Sequence, residues 1–155
     1  MNDMTTNQPS VIDGFTVSRT VHINAPVEKV WAAITEPEHL AQWFPQSATL
    51  EPAAVGAAGA FTFEGYGTFP VVIEAVEPLK SISYRWGNDN AAPVPLEDAS
   101  TVFTFTLTPV EGGTQLTVVE TGFENLSDPQ GSLEGNRGGW DFELDELVAY
   151  LEGSA

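Results

Sequence analysis

The chain contains no cysteine. That absence removes disulfide bridges, thiolate metal ligands and a cysteine nucleophile together. Cations are almost as scarce. Arg19, Lys29, Lys80, Arg85 and Arg137 stand against 22 acidic residues, for a formal net charge of −17 at pH 7. A field of that sign repels phosphate backbones and anionic lipid surfaces, so nucleic acid and acidic membranes are poor partners. The acidity reads first as a solubility device and second as complementarity to a basic partner. Long apolar runs are missing too: nothing approaches the roughly 18–20 residues that span a bilayer. The opening MNDMTTNQPS has neither the basic nor the apolar region of a signal peptide. A cytoplasmic protein without membrane insertion is expected, with residues 1–13 a flexible tail and 14–153 a single domain.

What is present is apolar and aromatic. Four Trp, three Tyr and nine Phe in 155 residues are enough for a real core. FTVSRTVHI alternates, with Phe15, Val17, Val21 and Ile23 on one face and Thr16, Ser18, Thr20 and His22 on the other, the pattern of a half-buried strand. In NAPVEKVWAAIT, Val27, Val30, Trp31 and Ile34 form one helical stripe behind Pro26. TEPEHLAQWF restarts, with Thr35 and Glu38 in capping-box spacing, Leu40, Trp43 and Phe44 in a second stripe, and Pro45 as its stop.

The middle of the chain reads as strands. AFTFEGYGTFPVVIEAVEP gives two with a turn near Gly65–Gly67, KSISYRWG gives one, and residues 87–100 form a loop. TVFTFTLTP and TQLTVVETGF are joined by a glycine turn. Finally Leu133, Arg137, Trp140, Leu144, Leu147, Val148 and Leu151 recur at helical spacing until Gly153. Gly138 and Gly139 cost about 1 kcal/mol each inside a helix. Three uses fit them: close approach of another backbone, a kink, or the true start of the helix.

One strand, two short helices, a run of strands and one long helix imply an α+β helix-grip architecture. A curved antiparallel sheet of about six to seven strands wraps on the long C-terminal helix. INAPVEKVWAAITEPEHLAQWF (23–44), GGTQLTVVETGF (112–123) and GGWDFELDELVAYLE (138–152) together resemble START-like domains of the SRPBCC superfamily. The type is the one named after the activator of the 90-kDa heat-shock-protein ATPase. The resemblance covers about residues 14–153. It implies a hydrophobic cavity under the long helix and no single chemistry, because the superfamily holds lipid carriers as well as cyclases.

Alternation supplies the cavity candidates: Phe61, Phe63, Ile73, Tyr84, Trp86, Phe103, Phe105 and Val118 from strands, Trp43 and Phe44 from the second short helix, Trp140 and Leu144 from the long one. They either line a pocket or fill a solid core. Two charges fall on apolar faces, Arg19 beside Val17 and Val21, and Glu120 beside Leu116 and Val118. They pair across the cavity, or one anchors a polar ligand head, or both sit at strand ends in solvent.

His22 and His39 read as surface residues. No metal-ligand spacing, GxGxxG, P-loop or GxSxG is present, so no metal, cofactor or catalytic set is expected. The function expected first is binding of a small hydrophobic molecule, as carrier or sensor. The alternatives are a chaperone-linked protein-interaction domain, with loop 87–100 as its surface, or a cyclase-type enzyme using Glu120 or Tyr84 as its acid–base group. Monomer and homodimer are both open.

Overall fold

Strict alternation in the strands and the helical stripe near the C-terminus decide the architecture. The computed structural model describes residues 7–45, 47–87, 95 and 99–153. The elements run β1 (Val11–Asp13), β2 (Thr16–Ile23), α1 (Val27–Thr35), α2 (Pro37–Trp43), β3 (Ser47–Leu50), β4 (Ala58–Phe63), β5 (Gly67–Glu77), β6 (Ser81–Gly87), β7 (Ser100–Val110), β8 (Gly113–Thr121) and α3 (Pro129–Val148). The last helix loosens into a π turn, Ala149–Gly153. Eight strands form one antiparallel sheet in the order β1-β2-β8-β7-β6-β5-β4-β3. Its concave face holds α3. A register shift between Ile73 and Ala75 marks a β-bulge in β5, the kind of irregularity that bends a strand.

The sheet has two strands that the hydrophobic pattern does not announce. Both lie at edges and both are short. Val11–Asp13 pair with β2, and Ser10 is buried against α3, so the ordered chain begins before residue 14. The first six residues of the expected tail lie outside the described residues. Ser47–Leu50 pair with β4 at the other edge.

Local details depart from expectation for physical reasons. The Thr35–Glu38 capping box does not form. Thr35 is the last residue of α1, and its hydroxyl donates to the Trp31 carbonyl one turn back at 2.7 Å. Pro37 starts α2 instead. Phe15 precedes β2 and is exposed. Arg137 is also outside, bonded to Glu134 at 2.9 Å. The long helix begins at Pro129, well before the glycines, where the Asp128 carboxylate accepts from the Gly131 N–H at 3.1 Å.

Candidate functional site

Rings fill the concave face. Phe44 stacks on Trp43 with centroids 5.0 Å apart and meets Phe61, Phe63 and Phe103 edge-on. Trp86 stands edge-on to Phe103 at 4.7 Å, and Phe105 stands edge-on to Trp140 at 5.8 Å. Quadrupole preferences favour such tilted pairs over face-to-face stacks. Rings thus pack closely beneath α3. Phe61, Ile73, Tyr84, Phe103, Phe105, Val118 and Leu144 are all at most 1% exposed, and they are core rather than cavity wall.

The cavity lies at one end of that core. It holds about 890 Å³ between the end of α2, the β4–β5 hairpin, the end of β6 and the middle of α3. Trp43, Phe44, Phe63, Trp86 and Trp140 line it, five of the expected residues. The hairpin adds Phe69 and Tyr66, and α3 adds Phe142, with Tyr66 and Phe142 exposed at the rim. The helix also contributes Gly135, Asn136, Gly139, Glu143 and Glu146. These recur at 3–4-residue spacing on a strip beside the apolar stripe, which is the sequence signal that finds them.

The glycines now have a different explanation. A Cβ at Gly135, Gly138 or Gly139 would meet nothing within 4 Å, so no other backbone approaches there. Gly135 and Gly139 face the cavity and leave it wide.

Glu120 sits beneath the cavity wall, completely buried. Its Oε1 accepts from the Trp140 indole at 2.8 Å and from the Asn136 amide at 3.0 Å. Its Oε2 accepts from the Thr101 hydroxyl at 2.6 Å and the Trp86 indole at 3.0 Å. All four donors are neutral. Burial pushes the Glu120 carboxyl above the usual carboxylate range, and the four hydrogen bonds pull the other way. Three of the donors, Trp86, Asn136 and Trp140, also line the cavity, so Glu120 sets the orientation of its wall without facing it.

Arg19 is buried as well, at 6% exposure, which excludes a solvent-facing strand end. It does not pair with Glu120. Its guanidinium donates to the carbonyls of Gln8, Trp140 and Asp141 and to the Asp145 carboxylate at 2.8 Å. It fastens α3 and the N-terminal segment to β2, away from the cavity.

Tyr84 also leaves the list of acid–base groups. Its hydroxyl donates to the Ile34 carbonyl at 2.6 Å, and burial pushes its pKa up. Glu143 is the titratable group that sequence reasoning missed. Desolvation, helped by the nearby Glu146 carboxylate, raises it from 4.5 to about 8. Its Oε1 is buried and has no hydrogen-bond partner. Among the described residues no group of His, Asp and Glu is placed to hold a metal ion, and no helix is long and apolar enough to cross a membrane.

A curved antiparallel sheet gripping one long C-terminal helix, with two short helices after the first long strand, defines a helix-grip domain of the START-like class. The chain belongs to the family described as Activator of Hsp90 ATPase homolog 1-like protein, which it matches over residues 24–152. Protein MLL2253 from Mesorhizobium loti is similar at 30% identity and a TM-score of 0.77, over 90% of this chain and 98% of that one. DynU16, from the dynemicin biosynthetic locus, is similar at 27% identity and a TM-score of 0.75, over 92% of this chain and 49% of that one. The Aha1 dimer from Colwellia psychrerythraea shares the fold, with 22% identity and a TM-score of 0.73 over 88% of this chain and 96% of that one. No curated protein matches the chain.

Proposed function

We propose that this domain binds a small hydrophobic molecule, aromatic or lipid-like, in the cavity at the end of the aromatic core, as a carrier or sensor. One observation supports this reading above the others. A cavity of about 890 Å³ is walled by Trp43, Phe44, Phe63, Phe69, Trp86 and Trp140. That volume lies within the range of drug-sized ligand sites, which are mostly apolar with a few placed polar groups. Asn136 and Glu143 are the placed polar groups here. The helix accepts glycine at positions 135 and 139, where a larger residue would narrow the cavity.

The chaperone-linked alternative rests on the family name and on loop 87–100, most of which lies outside the described residues. The enzyme alternative moves from Tyr84 and Glu120 to Glu143, a carboxyl of the cavity lining whose pKa is raised to about 8.

Native mass spectrometry of freshly purified protein, compared with its denatured mass, tests the binding reading. The expected result is an extra mass of a few hundred daltons that disappears on denaturation and is absent from Gly139→Leu. Bare protein that also takes up no apolar probe would count against it.

A further inference from the structure

The cavity has an electrostatic sign: carboxyl groups line it, and no Lys, Arg or His does. Glu64 of the β4–β5 hairpin and Glu143 and Glu146 of α3 all line it. All five Lys and Arg and both His are among the described residues, and none of them lines it. The cations are committed elsewhere: Arg19 to Asp145, Arg85 to Glu74, Arg137 to Glu134 and Lys80 to Glu77. Lys29 is exposed on α1.

Glu143 lines the cavity, and its Oε1 is buried and accepts no hydrogen bond. A buried acceptor without a donor costs free energy that an incoming donor recovers. Trp43, Trp86 and Trp140 stand in the same wall, and indole faces attract a desolvated cation. An anionic head group would meet Glu143 and Glu146 and no cation of the lining. The overall charge of −17 adds attraction for cations at long range.

We propose that the cavity takes a ligand that joins an apolar, ring-sized body to a protonated amine, with the body among the tryptophans and the ammonium at Glu143. This rests on the binding reading above and specifies its ligand class. It separates this domain from carriers of fatty acids, whose carboxylate this wall repels.

Three probes of one shape test it: naphthylmethylamine, naphthylmethanol and naphthoic acid. Binding is read by quenching of indole fluorescence and by calorimetry, at pH about 8, where Glu143 is half ionised. The amine should bind at least about tenfold tighter than the alcohol, and the acid weakest. In Glu143→Gln the advantage of the amine over the alcohol should shrink to less than about threefold. An alcohol that binds as tightly as the amine overturns the proposal and leaves the cavity a plain apolar site. So does an amine preference that survives in Glu143→Gln. If none of the three probes binds the unaltered protein, the binding reading itself falls, and the ligand class with it.

Discussion

The Trp140 indole donates to Glu120 Oε1 at 2.8 Å, while the carbonyl of the same tryptophan accepts from Arg19 at 3.3 Å. One residue of α3 is thus held at both ends, by a carboxyl on β8 and a guanidinium on the neighbouring strand β2. The register explains the geometry. Val17 lies opposite Glu120 and Arg19 opposite Val118, so the two charges are diagonal neighbours on one face. Each reaches the helix rather than the other, because α3 supplies donors above Glu120 and carbonyls above Arg19.

The Glu120 hub predicts a large stability loss on truncation. Glu120→Ala orphans the indole N–H of Trp140, leaves the Trp86 indole only the Thr101 hydroxyl at 3.0 Å, and opens a cavity, at a cost of about 3–5 kcal/mol. Glu120→Gln keeps one accepting oxygen but turns an amide toward donors, so it should fall between alanine and the unaltered protein. Urea unfolding measures both, and a loss under about 1 kcal/mol for the alanine variant would refute the hub.

Arg19 predicts an asymmetry. Its guanidinium is buried against three backbone carbonyls, whereas the side chain of its partner Asp145 is 65% exposed. Arg19→Met should therefore cost about 1–3 kcal/mol, and Asp145→Asn less than about 1 kcal/mol. Equal losses from the two substitutions would mean that the ion pair, not the backbone bonds, holds the helix.

The frame of the fold was legible because it depends on periodicity. Phe103, Phe105 and Leu107 alternate inward, and Leu133, Trp140, Leu144 and Leu147 repeat helically, as the sequence pattern requires. Edge strands escaped, since Val11–Asp13 and Ser47–Leu50 are short and only half-buried. The cavity was legible in part. Alternation tells which face a residue takes but not whether that face meets rings or empty space. Phe105 and Trp86 therefore looked alike, although one is sealed core and the other lines the cavity. Glu143 was missed because a glutamate beside a helical stripe ordinarily faces water, and only its spacing from Gly139 and Glu146 along the helix marks it as cavity lining.

Gly138 and Gly139 make a matched pair for the space-keeping argument. Neither meets a neighbour where its Cβ would be, so alanine at either should stabilise the helix by about 1 kcal/mol. Only Gly139 lines the cavity. Leucine at 139 should weaken naphthylmethylamine binding at least about tenfold, and leucine at 138 should leave it within about twofold. Thermal unfolding checks the first expectation and fluorescence titration the second. A leucine at 138 that weakens binding as much would assign the effect to the helix rather than to the cavity.

The titration of Glu143 predicts how stability depends on pH. Its carboxyl moves from 4.5 in the unfolded chain to about 8 in the folded one. Between those values the folded state binds more protons than the unfolded state, so stability falls as pH rises. The contribution is complete below the unfolded pKa and is lost by the time pH passes about 8. The other titratable groups that line the cavity are Glu64 and Tyr66 of the hairpin and Glu146 of α3. None is a cation that would reverse the sign. Glu120, also raised by burial, adds a slope of the same sign that is common to both proteins compared. Glu143→Gln should therefore unfold at a temperature close to that of the unaltered protein at the acid end of this window. It should become the more stable of the two as pH rises through it. Parallel unfolding curves at every pH would place the Glu143 pKa near that of an ordinary carboxylate.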